Sequence, residues 1–348
     1  LVEGNPHLVI EGALIAAYAV GASEALIAVR RDWTVAIERL RAAVDEAIAA
    51  HLAGYLVLGT DTSILPRVWE GSGAYVAGEE TAVISAIAGD RGMPTIRPPY
   101  PAAAGIWIAS RNWESPTIVQ NAESLAHVAW ITSHSAADFA SLGSEASRGT
   151  KLVTIMGQVA TPGVAEVALG TPLEGIVGVA GGTSGKPKAA FVGGPGGGAI
   201  AAAAFSTPYD YEPLDAAGAV IGSGTILVVG ESVCMVDSAR FFADFSAREA
   251  GGKAVPCRIG TRRLVEALDR ILSATPRPND VTLLRQLSRK VRDTGLCALE
   301  RLAPGPITTT LDNFADEYRA HAERGECLAG SCRTAGVRPL LEPLAGLQ

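Results

Sequence analysis

Long apolar stretches, cysteine and charge are all scarce in this sequence. The longest apolar run, residues 216–230, is interrupted by Gly218, Gly222 and Gly224, so no segment has the length of a membrane-spanning helix. Five cysteines in 348 residues are too few for a disulfide framework. The net charge of −7 argues against a surface that binds nucleic acid or inserts at an anionic membrane. Because no secretory signal is recognisable, we expect a cytoplasmic protein.

Two common catalytic signatures are also missing. The five histidines show no spacing such as His-Glu-x-x-His, so the sequence alone does not support a zinc site. No serine lies in a nucleophile elbow. Apolar residues nevertheless make up 48% of the chain, which is enough for packed cores in two or three domains.

Helical and extended patterns alternate in the first part of the chain, which indicates an α/β fold. The patterns predict, in order, a buried helix over 6–22, a strand over 24–30, an amphipathic helix over 32–52, a strand over 55–58, a helix over 74–90, an ordered loop over 92–118 and a helix over 121–131. Farther on, residues 151–163 indicate a strand, a turn and a second strand. From Ser232 the pattern is mainly helical.

The most distinctive motif lies between residues 71 and 124. It reads Gly-Ser-Gly-Ala-Tyr-Val-Ala-Gly-Glu-Glu-Thr over 71–81, Arg-Pro-Pro-Tyr-Pro over 97–101, and Thr-Ile-Val-Gln-Asn-Ala-Glu-Ser over 117–124. This resembles the NADH- and flavin-binding core of the flavoprotein subunit of NADH dehydrogenase (respiratory complex I), and of its relatives in soluble hydrogenases and formate dehydrogenases. The resemblance implies hydride transfer from NADH to FMN.

The resemblance assigns FMN to one set of residues in this motif. It places Tyr75, Gly78 and Glu79 along the FMN, and Asn121 and Ser124 at its ribityl chain or phosphate. The family usually has two asparagines and then a threonine where this chain has Gln-Asn at 120–121 and Ser124. These departures keep the ability to form hydrogen bonds.

A second set of residues is implied to contact NADH: Glu80, Arg97 and Tyr100. A carboxylate accepts hydrogen bonds from ribose hydroxyls, a guanidinium suits a pyrophosphate and an aromatic ring stacks on adenine. Glu79 and Glu80 are the residues expected to act in catalysis. Taken alone, the two glutamates are typical of ordinary dipole partners in a first helical turn, and only the surrounding motif over 75–81 favours the functional interpretation.

The family's iron–sulfur region is altered. Residues 233–237 and 241–245 match the family's approach to its 4Fe–4S cluster, which needs four thiolates. The first two ligand positions are Gly251 and Ala254 here, and only Cys257 and Cys297 remain. We therefore expect no normal 4Fe–4S cluster.

Three further cysteines leave alternatives open. Cys327 and Cys332 could rebuild a metal site with Cys257 and Cys297, but free or surface thiols are favoured, and Cys234 is interpreted as a core residue.

The resemblance predicts a division of the chain into four parts. These are an FMN/NADH-binding α/β domain over 1–142, a small β-grasp domain over 143–212, a helical domain over 213–335 that resembles the iron–sulfur region, and a tail over 336–348. The family's glycine-rich loop would precede the first helix, and the chain opens on Leu1. We therefore expect the first domain to be N-terminally incomplete and the sequence to be a fragment.

Two functions are compatible with these features. The first is an NADH dehydrogenase flavoprotein subunit that passes a hydride from NADH to FMN and electrons onward to a quinone, a ferredoxin or a partner subunit. Its partner is expected to be a ferredoxin-like or thioredoxin-like iron–sulfur protein, in the cytoplasm or peripheral to the membrane through a complex. The alternative is a non-catalytic assembly or nucleotide-binding subunit that keeps the fold but has lost electron transfer.

Overall fold

The computed structural model describes residues 1–108, 113–273 and 275–332. The chain divides into two compact units, unit 1 (Leu1–Ser141) and unit 2 (Leu142–Gln348). The predicted tail over 336–348 lies outside the described residues. Within the described part, no helix is both long enough and apolar enough to cross a bilayer.

Unit 1 consists of helices and two short two-stranded sheets. Its elements are α1 (Pro6–Val20), β1 (Glu24–Arg30), α2 (Thr34–Ala49), β2 (Leu65–Gly71), α3 (Glu80–Ile87), α4 (Pro101–Ala104), β3 (Ile106–Ile108), β4 (Trp113–Ser115), α5 (Ala122–Ser133) and α6 (Ala136–Ala140). β1 and β2 pair in parallel, and β3 and β4 pair antiparallel. The predicted α/β class is confirmed here.

The first helices of unit 1 follow directly from the sequence. The Asn5 side chain accepts the Leu8 N–H at 3.3 Å and so caps α1, which ends at Gly21 in a left-handed conformation. α2 turns its apolar stripe inward, so that Ile37 and Leu40 are buried against Ile10 of α1. This packing forms the core of unit 1.

The predicted strand over 55–58 is wrong. Residues Val57–Gly59 form a 3₁₀ turn, and Leu56 and Leu58 have positive φ angles of 52° and 54°. The strand that pairs with β1 is β2, which contains a proline and two charged residues. The apolar run at 55–58 is instead largely exposed, with Leu58 at 70%. It lies in the turn that brings the chain from α2 back to β2.

Unit 2 begins with a five-stranded sheet. It contains β5 (Thr150–Gly157), β6 (Gly163–Ala168), α7 (Leu173–Val179), β7 (Pro187–Val192), β8 (Gly198–Ala201), α8 (Tyr211–Ala216) and β9 (Thr225–Gly230). The strand order is β6-β5-β9-β7-β8, with β5 and β9 parallel and the other pairs antiparallel. Two hairpins flanking a helix, with the first and last strands paired at the centre, form the predicted β-grasp arrangement. The sheet extends past residue 212, where the sequence placed the end of this domain.

A helical bundle completes unit 2, as predicted. Its helices are α9 (Met235–Arg248), α10 (Thr261–Leu272), α11 (Asp280–Thr294), α12 (Ala298–Leu302), α13 (Gly305–Asn313) and α14 (Ala315–Arg319), with π-helical turns at Pro256–Gly260 and Ala320–Arg324. α10 is strongly amphipathic, and its buried Leu268 packs with Leu284 and Val291 of α11. Phe191 of β7 packs against Phe242 of α9, which joins the second face of the sheet to the bundle.

Candidate functional site

Glu79 lies where a 3₁₀ turn ends and α3 begins. Its extended backbone places the carboxylate over the first turn, where it accepts the Ala82 N–H at 2.9 Å and the Thr81 hydroxyl at 2.5 Å. These bonds make Glu79 the N-cap of α3. Thr81 was not singled out from the sequence, although it follows Glu-Glu directly. Its hydroxyl also accepts the Thr95 N–H at 2.8 Å, which ties the loop that carries Arg97 to the helix.

Arg97 joins the two glutamates. Its Nη2 atom lies 3.0 Å from Glu79 Oε1 and 2.6 Å from Glu80 Oε2. The Glu79 side chain is 11% exposed, whereas those of Glu80 and Arg97 are both 36% exposed. We refer to these three side chains as the carboxylate–guanidinium group. It has one buried anchor and an accessible side, as a site for a polar ligand requires.

Two glycines before Glu79 allow a tight turn and leave free space beside the backbone. Gly73 has a φ of 80°, and a side chain there would meet Asp32 Oδ1 at 3.3 Å. Gly78 is exposed, and nothing lies within 4 Å of the position that a Cβ would take. Tyr75 is half-buried, and burial raises the pKa of its hydroxyl. A flat ligand can therefore approach this turn closely.

The other predicted residues lie on neighbouring elements of unit 1. Tyr100 precedes α4 and is 61% exposed. The Asn121 side chain accepts the Glu123 N–H at 2.8 Å and caps α5, where Ser124 is exposed in the first turn. Within the described residues, no hydrogen bond links Tyr100, Asn121 or Ser124 to the carboxylate–guanidinium group. The structure thus brings Glu79, Glu80 and Arg97 into direct contact, uses Asn121 as a helix cap, and leaves Tyr100 and Ser124 exposed.

The position of the family's iron–sulfur cluster carries two thiols. Cys257 is buried, and its sulfur accepts the Gly252 N–H at 3.4 Å. Burial raises the pKa of the Cys257 thiol, and the nearby Glu300 and Cys297 raise it further. Gly251 and Ala254 offer no donor atom in their side chains. The residues present at this position therefore do not fit a cluster that requires four thiolates.

Four other potential metal ligands come together in unit 2. Cys234, His321, Cys327 and Cys332 each offer one ligand atom, and these atoms all lie within 4.8 Å of one another. We refer to them as the thiol–imidazole group. Cys234 and His321 are buried, with Sγ and Nε2 3.3 Å apart, and Cys327 Sγ accepts the Cys332 N–H at 3.5 Å. Three cysteines and a histidine are a donor set typical of structural zinc.

The surroundings of Cys327 in the thiol–imidazole group favour the ionised, thiolate form of its side chain. Burial opposes ionisation of Cys327, but the backbone amide and the thiol of Cys332, with neighbouring amides, lower its pKa to about 6. The His321 Nδ1 atom is buried and has no hydrogen-bond partner among the described residues. The sequence suggested a core position for Cys234 and free thiols at Cys327 and Cys332. Cys234 does lie in the core, but it contacts a histidine 87 residues away, which no local spacing indicates.

A buried ion pair holds the chain on both sides of Cys234. Lys188 Nζ donates to the Val233 carbonyl at 2.7 Å and lies 2.5 Å from Glu317 Oε1. Glu317 Oε2 accepts the Met235 N–H at 2.9 Å. The two side chains are only 10% and 7% exposed. The pair therefore fixes the backbone that carries Cys234, one member of the thiol–imidazole group, and it does so from the helix that leads to His321.

The two units together have the features of a flavoprotein subunit of an NADH-oxidising complex: an open polar site on an α/β unit, a β-grasp sheet and a cysteine-bearing bundle. Two family models match the chain, the Nuo51 FMN-binding domain over residues 1–130 and the NADH-ubiquinone oxidoreductase-F iron–sulfur binding region over residues 237–321. The chain belongs to the family of the NADH-quinone oxidoreductase F-type flavoproteins, as the resemblance predicted.

Individual relatives support this membership. The chain is 40% identical over 346 residues to the NADP-reducing hydrogenase subunit HndC of Solidesulfovibrio fructosivorans, covering 99% of this chain and 69% of that one. It is 35% identical over 330 residues to the F subunit of NADH-quinone oxidoreductase from Mycobacterium tuberculosis, covering 94% and 73%. A crystal structure of an NAD+-reducing NiFe hydrogenase in the H2-reduced state matches with a TM-score of 0.82 and 28% identity. That match covers 94% of this chain and 54% of the hydrogenase chain.

Proposed function

We propose that this chain is part of an NADH:acceptor oxidoreductase and that it passes a hydride from NADH to FMN and electrons onward to an acceptor. The observation that carries this proposal is the carboxylate–guanidinium group, which lies within the part of the chain that matches the FMN-binding family model. FMN, when bound, supplies the redox chemistry by accepting the hydride of the nicotinamide. The protein's own contribution is binding, orientation and charge.

The polar groups of unit 1 divide this work. Tyr75, Gly78 and Glu79 are proposed to line the FMN, with Glu79 held rigid by its three hydrogen-bonded partners. Asn121 and Ser124, at the start of α5, are proposed to bind its ribityl chain or phosphate, because a helix N-terminus attracts anions.

NADH is assigned to the accessible side of the carboxylate–guanidinium group. Both carboxylates contact the same Arg97 nitrogen, Nη2, so the remaining guanidinium donors can bind a pyrophosphate. Glu80 is proposed to accept hydrogen bonds from ribose hydroxyls. Tyr100, with its exposed ring, is proposed to stack on the adenine.

The electron acceptor is assigned to a partner in a complex. By their names, HndC and its mycobacterial relative are both parts of larger enzymes. The partner proposed here is an electron-transfer subunit of the ferredoxin-like or thioredoxin-like iron–sulfur type, and the location is the cytoplasm, either free or at the membrane surface through the complex. A quinone is the alternative acceptor.

A second candidate function is a non-catalytic assembly or nucleotide-binding subunit. The observation that favours it is the loss of two of the four cluster ligands, at Gly251 and Ala254. The carboxylate–guanidinium group argues against a purely structural role, which does not require a partly exposed arginine held by two carboxylates.

The thiol–imidazole group supports a structural metal, and zinc is the ion proposed. Its ligands come from the start of α9 and from the segment after α14, so one ion would tie the end of the described chain to the bundle. Metal analysis of protein purified without added metal is expected to find about one zinc per chain. No zinc in the wild type, or a full complement of zinc in a Cys327→Ser variant, would remove this assignment.

The test of the main function is an absorption spectrum of anaerobically prepared protein with FMN, before and after NADH. A flavin spectrum that bleaches with NADH is expected. Arg97→Met should weaken NADH binding about tenfold to a hundredfold, since a charge-assisted hydrogen bond is lost. Arg91→Met is the matched control, because Arg91 is exposed and forms no ion pair among the described residues. A protein that does not take up FMN, or equal NADH affinity in both variants, would contradict the proposal.

A further inference from the structure

Next to the altered iron–sulfur position lies a buried carboxyl group. Glu300 is the third residue of α12 and is 4% exposed. Its Oε2 atom accepts the Leu296 N–H at 2.8 Å. A glutamate at this helical position often bonds a backbone amide at the start of its own helix, and Oε2 accounts for such a cap.

The second oxygen of Glu300 is not explained by the cap. Oε1 is buried and has no hydrogen-bond partner among the described residues. A buried oxygen left without a hydrogen-bond partner lowers stability by about 1–3 kcal/mol. The presence of Glu300 at this position therefore requires an explanation other than the cap.

Glu300 lies beside both remaining cysteines. Burial raises the pKa of the Glu300 carboxyl, and the nearby backbone amides of Leu296, Cys257 and Cys297 oppose this shift. Burial also raises the pKa of the Cys257 thiol, and the charge of Glu300 adds to that shift. Cys297 is the N-cap residue of the helix that carries Glu300. The carboxyl group thus shares the surroundings of the two thiols.

Gly295 makes room for this arrangement. A Cβ at residue 295 would lie 3.0 Å from Glu300 Cγ and 2.9 Å from the Val291 carbonyl oxygen. The Arg301 side chain closes the turn from the other side, with Nε donating to the Gly295 carbonyl at 2.8 Å. The carboxyl group is therefore fixed in place.

We propose that Glu300 occupies the position beside Cys257 and Cys297 where the family holds its 4Fe–4S cluster, and that neither cysteine ligates a cluster in this chain. The inference rests on the proposed function, because it concerns the same flavoprotein. In this proposal, the loss of two cysteine ligands, at Gly251 and Ala254, is accompanied by a carboxyl group at the position of the cluster. No step of the proposed hydride transfer is assigned to a cluster at this position.

The experiment compares three proteins prepared anaerobically with iron and sulfide. These are the wild type, the double variant Gly251→Cys/Ala254→Cys, and the triple variant that adds Glu300→Ala. The measurements are iron and acid-labile sulfide per chain, and the EPR spectrum after dithionite reduction. The wild type is expected to hold no cluster at this position, the double variant clearly less than one, and the triple variant about four iron atoms per chain.

Two results would overturn the proposal. One is a cluster in the wild type that Cys257→Ser abolishes. The other is a double variant that binds a cluster as completely as the triple variant, which would show that Glu300 is no obstacle. Iron that survives Cys257→Ser but is lost in Cys327→Ser belongs to the thiol–imidazole group, and it supports the proposal.

The flavin measurement separates this inference from the proposed function. Bleaching of FMN by NADH is recorded on the same wild-type sample. Bleaching together with a cluster at Cys257 would refute the role of Glu300 and leave the oxidoreductase function intact. A sample with no cluster and no bleaching would refute the function alone. Even where a variant fails to fold, a wild-type cluster that depends on Cys257 would still overturn the inference.

Discussion

The buried pair of Lys188 and Glu317 allows a sharp test of the thiol–imidazole group. In Glu317→Gln, the new amide oxygen can still accept the Met235 N–H, but the charge opposite Lys188 is removed. Lys188 is then a buried cation at 10% exposure without its partner. Breaking such a pair costs about 3–5 kcal/mol, and we expect a loss of unfolding free energy of that size.

The same substitution should weaken zinc binding. The pair holds the carbonyl of Val233 and the amide of Met235, the two neighbours of Cys234. Removing a group that orients a ligand from outside the coordination sphere lowers metal affinity about tenfold to a hundredfold. Competition with a chromophoric chelator measures this loss, and urea unfolding measures the stability.

Two controls make the test decisive. Glu323→Gln changes an exposed glutamate in the π-helical turn that follows α14 and should alter stability by less than about 0.5 kcal/mol. The double variant Lys188→Met/Glu317→Met should lose less than the sum of its single variants, because neither charge is left alone. If Glu317→Gln behaves like Glu323→Gln in both assays, the reasoning about this pair is wrong.

Three further predictions concern other parts of the chain. Glu79→Ala should lower the unfolding free energy by about 1 kcal/mol through loss of the α3 cap, measured by urea unfolding against Glu79→Gln. Gly12→Ala should cost about 3 kcal/mol, because its Cβ would lie 1.8 Å from the Leu125 carbonyl oxygen; an unchanged urea midpoint would contradict the close packing of α1 and α5. The hydrogen bonds from Arg270 hold the pKa of Asp280 below its usual range, against the effect of burial. This stabilisation is complete above the unfolded pKa of about 4 and is lost as the pH falls through the lower folded pKa, so wild type and Asp280→Asn should converge in stability in that range when unfolding is measured across pH.

Sequence periodicity predicted the elements whose pattern is set by one continuous core. α1 was predicted because its residues are mostly apolar, and α2 because Ile37 and Leu40 recur at helical spacing and face α1. The strand over 55–58 was wrong because apolar content alone does not provide a pairing edge. β2 was missed because half-exposed positions of a two-stranded sheet tolerate Pro66, Arg67 and Glu70. These are tertiary effects that a local pattern does not contain.

The sequence predicted site residues only where they lie in a recognisable motif. The family resemblance assigned Glu79, Glu80 and Arg97 to cofactor binding, but it did not predict that both glutamates contact Arg97 from 18 and 17 residues away. The thiol–imidazole group has no such motif, since its members come from both ends of the bundle. Glu300 was missed because a glutamate in a first helical turn is ordinary until its burial is known.

The position of β9 has a consequence for synthesis of the protein. β9 is the last strand of its sheet in the sequence, yet it lies at the centre between β5 and β7. While the chain emerges from the ribosome, both of those strands are complete before their shared neighbour exists, and each has an open edge. The sheet cannot close until residue 230 is available, and the segment that follows immediately carries Cys234. Closure of the sheet and synthesis of Cys234, the first member of the thiol–imidazole group, therefore follow each other late in translation.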